Sequence, residues 1–370
     1  MFIYLLVFAI VTFLAAMIKP NKKNSNIILL IAIILILSIV GGFRDFNIGT
    51  DVEVYGKSWF EIASGSSSFK SYSSLIDNSE YGYLFINYIV SRFTSDVNIF
   101  LLVLQLLSNS LVYITLYRYR DKCPLWMSSF MYLCLFYGMT FNILRQACAL
   151  SILFYGVKYL DEEKSFKYLL VIILAMLFHS TAFLAGILIF LIYNVAKSKS
   201  KFQFYIFCLC ILLSVIGMFF IKDILTIAYQ LGIVNARIYN YIDEFAKDSF
   251  SISLIDILFK FLIVFVSIIS YKSIKNDNKL GSFLLVCVIS ELVLYFVKYT
   301  ISYSERFSFY FSYISFLYVP QVYKAFSSKA KDRLMFNVLF TVLFLGFWYY
   351  KYVRHGICEI YPYSSSILGI

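Results

Sequence analysis

A few ionisable side chains, spread thinly through an apolar chain, carry what chemistry this sequence can do. Arg145 sits in Asn142-Ile143-Leu144-Arg145-Gln146, His179 in Phe178-His179-Ser180-Thr181, and Glu80 opens Glu80-Tyr81-Gly82-Tyr83. Upstream, Phe43-Arg44 precedes Gly49-Thr50-Asp51, and downstream come Ser304-Glu305-Arg306 and Tyr361-Pro362-Tyr363. Guanidinium groups hold phosphate oxygens through paired, charge-assisted hydrogen bonds and stabilise a departing anion. A carboxylate or an imidazole takes a proton from an attacking hydroxyl. The combination predicts a phosphorylated substrate, with Arg145, Arg306 and Arg44 as its cations and Glu80, Asp51 or His179 as the base.

Each position also has a plainer reading. Arg145, at membrane depth, can snorkel to lipid headgroups, although Asn142 and Gln146 one turn apart add a polar face to it. Glu305 and Arg306 can be a surface ion pair, and Arg237 and Tyr241 can be solvated loop residues. Tyr363 can contribute to a site, but tyrosines at span ends usually form interfacial belts. Asp51-x-Glu53 offers a pair of hard carboxylate ligands, which is too few for a metal signature. The expectation is that no metal and no cofactor is used.

The elements that position these residues follow from composition. The 370 residues are 61% hydrophobic, 20% aromatic and 14% charged, the balance of an integral membrane protein with no separate soluble domain. Apolar runs predict an all-α polytopic bundle of about twelve spans, near 2–18, 27–43, 97–117, 124–141, 145–160, 166–179, 181–195, 202–220, 253–271, 280–298, 307–323 and 334–350. One membrane domain is expected over 1–370, with outer loops at 44–96 and 221–252.

Charge sets the orientation. Alternate short loops, around Lys19–Lys23, Arg118–Lys122, Lys158–Lys167, Lys197–Lys201, Lys272–Lys279 and Lys324–Arg333, hold 19 of the 32 basic residues and six of the 21 acidic ones. Lys and Arg beside membrane segments are retained in the cytoplasm, so both termini and all the candidate residues fall on the outer side. The net charge of +11 is therefore a topology signal, which argues against nucleic acid as a partner. The first apolar segment lacks a basic leader and reads as an anchor rather than a cleaved signal. Of the seven cysteines only Cys358 falls clearly outside, so no disulfide framework is expected.

Within these elements, Gly49 allows a tight turn, Ser64 to Ser74 reads as flexible, and Tyr81 to Phe93 as an interfacial helix. Lys167 and Lys197 both lie on the cytoplasmic side, so the chain must turn back near His179, with Ser180 or Thr181 capping the next helix; the alternative is one continuous helix with a buried histidine. Asp256 and Lys260, one turn apart, are expected to neutralise each other, leaving Glu291 for the site or for Lys298.

Taken in order from about residue 43 to 306, Phe43-Arg44, Gly49-Thr50-Asp51, Glu80-Tyr81-Gly82-Tyr83, Asn142 to Gln146, Phe178 to Thr181 and Arg306 resemble the EpsG family of Wzy-type polysaccharide polymerases. The resemblance implies a GT-C-like glycosyltransferase in a bacterial inner membrane that joins undecaprenyl-pyrophosphate-linked repeat units at the periplasmic face. It also implies membrane lipids, a flippase and a chain-length regulator as partners. Two rival classes are a lipid-linked oligosaccharide flippase or transporter, and another transferase such as an O-antigen ligase or an O-acetyltransferase. No internal repeat and only four prolines argue against the first.

Overall fold

The computed structural model describes residues 1–19, 23–76, 80–198, 221–232, 253–277, 280–299, 305–326 and 329–370. It is helical, and no strand occurs among the described residues. The helices are α1 Phe2–Met17, α2 Lys23–Gly42, α3 Trp59–Gly65, α4 Phe69–Leu75, α5 Tyr81–Ser91, α6 Val97–Arg118, α7 Leu125–Tyr132, α8 Leu144–Asp161, α9 Ser165–Met176 and α10 Thr181–Lys197. There follow α11 Ile221–Gln230, α12 Leu254–Asp277, α13 Gly281–Tyr295, α14 Glu305–Ser315, α15 Tyr323–Phe326 and α16 Ala330–Trp348.

Four helical segments among the described residues are long and apolar enough to cross a membrane: Ser25–Gly42, Val97–Arg118, Leu254–Lys275 and Ala330–Arg354. This is a membrane protein. Several of the expected spans are shorter than a bilayer crossing. Helix α9 has 12 residues and α14 has 11, about 18 and 16 Å at 1.5 Å per residue, against a hydrocarbon core of roughly 30 Å. The expected span at 202–220 lies outside the described residues.

By contact density the chain, expected as a single domain, parts into two compact units, Met1–Gly186 with Phe316–Ile370, and Ile187–Ser315. In the first, α2 lies along α6 so closely that a Cβ on Gly42 would sit 2.6 Å from the Leu102 Cα. Small residues allow this approach, and buried amides fasten it. Asn109 Nδ2 donates to Ser38 Oγ at 3.4 Å and Asn98 Nδ2 donates to the Gly42 carbonyl at 3.1 Å.

In the second unit α12 and α13 form an antiparallel hairpin that corrects one expectation. Lys260 Nζ meets Glu291 Oε1 at 2.5 Å and Lys298 Nζ lies 3.9 Å from Asp256 Oδ2, so each ion pairs across the hairpin rather than along its own helix. Asp256 and Lys260 share one face of α12, and that face meets oppositely ordered charges on its neighbour.

The described residues of the segment 44–96 are folded. A π-helical turn, Val52–Ser58, runs straight into α3. The serine-rich stretch expected to be flexible forms the end of α3 and all of α4, with Ser68 Oγ accepting from the Ser71 amide at 3.1 Å. Arg92 closes this unit by donating to the carbonyls of Ala63 at 2.5 Å and Ser66 at 3.0 Å. Helix α5 exposes Tyr81, Phe85, Ile89 and, just past its end, Phe93, an apolar stripe at a spacing of four.

Candidate functional site

The hairpin of α9 and α10 presents His179. In an unbroken helix residues 18 apart are separated by about 27 Å. Here the Tyr168 hydroxyl donates to the Gly186 carbonyl at 3.4 Å, so the chain turns back between Met176 and Thr181. The turn also docks the start of α5, because the amides of Gly82 and Tyr83 donate to the Leu177 carbonyl at 2.8 and 3.4 Å. Orphan donors at one helix start are thereby satisfied by an orphan acceptor at another helix end. Gly82 permits the contact: a Cβ there would lie 2.9 Å from the Leu177 Cβ.

This joint brings Glu80 to His179 across 99 positions of sequence, with His179 Nδ1 2.6 Å from Glu80 Oε1. The Ser180 amide donates to the same oxygen at 3.3 Å. On the other side Arg145 Nη1 donates to Glu80 Oε2 at 2.6 Å. Glu80 is only 5% exposed, while Arg145 and His179 keep part of their surfaces open.

Burial alone would raise the Glu80 carboxyl. The hydrogen bond and charge of His179, the Arg145 guanidinium and the Ser180 amide outweigh it and hold the group below its ordinary value. An ionised carboxylate only accepts, so His179 carries its proton on Nδ1, and in the neutral ring Nε2 is an acceptor. Nε2 has no partner among the described residues. Arg145 commits one of its five N–H donors to Glu80, and the rest are unassigned among those residues. Its guanidinium carbon lies 3.8 Å over the Tyr55 ring and 5.3 Å from that of Trp59.

Other expected residues are placed in supporting positions. Asn142 Oδ1 accepts from the Thr50 hydroxyl at 2.5 Å and the Asp51 amide at 3.0 Å, tying the 49–51 turn to the start of α8. Gly49 takes φ +91°, and a Cβ there would meet the Phe141 carbonyl at 2.6 Å. Gln146 is buried beside Arg145 in α8. The Asp51 carboxylate is half-buried at the start of the π turn.

Two expected contributors have other work. Arg44, anticipated as a third cation, is fully buried and donates to the carbonyls of Gly41, Ile48 at 3.2 Å and Phe141 at 2.8 Å. Its donors are turned to the backbone because the chain leaving α2 has no helical partners for those oxygens. Tyr363 donates to the Val40 carbonyl at 2.8 Å and packs edge-on to Tyr4. Glu305 and Arg306 open α14 in the second unit. Arg237 and Tyr241 lie outside the described residues.

Sequence reasoning missed Tyr55 and Trp59, the aromatic pair beside Arg145. Their spacing of four was the available signal, hidden in a segment read as loop.

Fold and site together define a polytopic helical membrane protein with an Arg-Glu-His constellation built on a buried carboxylate. The family model for the EpsG family matches residues 27–365, and the chain belongs to that family, which is like the polysaccharide polymerases of the Wzy type. No curated protein and no solved structure gives a significant match.

Proposed function

We propose that the protein polymerises oligosaccharide repeat units carried on undecaprenyl pyrophosphate, at the outer face of a bacterial inner membrane. The supporting observation is the Arg145-Glu80-His179 constellation, which supplies an anion ligand and an oriented imidazole side by side. In this reading a hydroxyl of the incoming unit attacks the anomeric carbon of the growing chain. His179 Nε2 takes the hydroxyl proton, the bond from the anomeric carbon to the pyrophosphate oxygen breaks, and polyprenyl pyrophosphate leaves on Arg145. Glu80 stays ionised, fixing the imidazole tautomer and steering the guanidinium.

Asp51, Asn142 and Gln146 support the Arg145 turn, and Arg306, taken from the family-like motif, is a second pyrophosphate ligand to be tested alone by Arg306→Ala. The twelve-span GT-C-like architecture and the partnership with a flippase and a chain-length regulator belong to the same proposal. Purified protein in liposomes, given purified lipid-linked repeat units, should build a glycan ladder and release polyprenyl pyrophosphate. His179→Ala and Arg145→Ala should each abolish it. Full-length ladders from Arg145→Ala would remove the anion clamp, and transfer of finished chains to another lipid acceptor would make the protein a ligase.

A further inference from the structure

Tyr55 and Trp59 lie four residues apart on the helical run from Val52 to Gly65, and both rings face the Arg145 guanidinium, at 3.8 and 5.3 Å. The two rings meet edge-to-face at 5.0 Å, and Trp59 meets Tyr83 at 6.0 Å. Neighbours hold the run firmly. Tyr83 Oη donates to the Tyr55 carbonyl at 2.7 Å, Phe60 stacks on Phe100 at 4.9 Å, and Gly56 lies against Leu101 and Leu144.

Both rings are nevertheless partly exposed, and neither the Tyr55 hydroxyl nor the Trp59 indole N–H has a hydrogen-bond partner among the described residues. A lipid-facing belt would look like the outward stripe of α5. This pair converges on a charged site.

A pyranose ring has an apolar face of C–H groups, whose positive hydrogens suit the negative face of an aromatic ring, and a rim of hydroxyls that suits an indole N–H or a phenol. We propose that Tyr55 and Trp59 form a sugar platform that takes the residue bonded directly to the pyrophosphate, and so select the first sugar of the donor chain. The inference rests on the reading of Arg145 as the pyrophosphate ligand: whatever sugar is bonded to that anion must lie within one ring of it.

The test uses the intact protein and two readouts. In the first, the phosphate-free oligosaccharide released by mild acid from the host's own lipid-linked units is titrated against intrinsic tryptophan fluorescence. The chain has three tryptophans, so Trp59→Phe isolates the signal of this one. A saturable change in the wild type that Trp59→Phe removes and Arg145→Ala retains is expected; no change, or an equal change in Trp59→Phe, overturns the platform.

In the second, Trp59→Ala should raise KM for the lipid-linked unit about ten-fold, the scale of one aromatic contact, with kcat held within about two-fold. Trp59→Phe, which keeps a ring face but loses the indole N–H, should fall between the two. If Trp59→Ala does not fold, fluorescence and the Phe variant decide. A fluorescence response without any ladder would overturn the polymerase reading and leave the sugar platform standing, whereas normal ladders with an unchanged KM in Trp59→Ala would do the reverse.

Discussion

At the scale of single residues, Glu80 is the centre of the site because two different groups depend on its charge. Its carboxyl is held below the ordinary value of about 4.3, so its stabilising contribution is complete above that pH and is lost as pH falls through the lower folded value. Thermal denaturation in detergent should show the wild type losing its advantage over Glu80→Gln only below about pH 4. The same variant makes a catalytic prediction. The Gln amide can present an N–H to Nδ1, so the tautomer that leaves Nε2 as an acceptor loses its anchor and activity should fall at least ten-fold; unchanged activity would take the proton-acceptor role from His179.

Arg145 invites a second substitution. Arg145→Lys keeps the charge but loses the planar stack over Tyr55 and the paired donors, and activity should fall roughly a hundred-fold while the fold persists. Arg145→Ala, by contrast, strands a buried carboxylate and should also cost stability, about 3–5 kcal/mol. Which residues belong to the site was partly legible from type alone, since Arg, Glu and His are costly at membrane depth. What Arg44 does was not. Its chemistry equals that of Arg145, and only the unpaired carbonyls around it decide that it serves the backbone.

At the scale of elements, the decisive joint is the docking of α5 on the turn between α9 and α10. The turn was readable because Lys167 and Lys197 are both basic flanks on the same side, so the stretch between them must return to where it started, a constraint that acts through charge. The docking was not readable, since nothing in local sequence says that the Leu177 carbonyl accepts from Gly82. Gly82→Ala tests the joint. The added methyl would press on Leu177, lift the start of α5 and separate Glu80 from His179, so polymerisation should fall at least ten-fold. Gly65→Ala, at a helix end with open space around it, is the control and should behave as the wild type. The serine-rich stretch is the instructive error at this scale. Composition signalled flexibility, but a Ser cap and Arg92 reaching back to carbonyls supply the hydrogen bonds that order it.

At the scale of the whole molecule, the end of the chain fixes which side its beginning must lie on. Tyr4 Oη donates to the Ile360 carbonyl at 2.7 Å, the Asp45 amide to the Ser364 carbonyl at 3.1 Å, and the Ser366 amide to Asp45 Oδ1 at 2.8 Å. The C-terminal tail therefore lies on the same side as the turn after α2, and that turn is joined to Asn142 and the start of α8. If the basic loops are cytoplasmic, this whole assembly is outside, and Cys358 with it. Cys358 is partly exposed, whereas Cys123, Cys134, Cys148 and Cys287 are buried. A membrane-impermeant maleimide should label intact spheroplasts at Cys358 and spare Cys358→Ser. Labelling confined to inside-out vesicles would turn the protein over, carry the Arg145-Glu80-His179 constellation to the cytoplasmic side, and leave a substrate delivered to the outer face with no site to meet it.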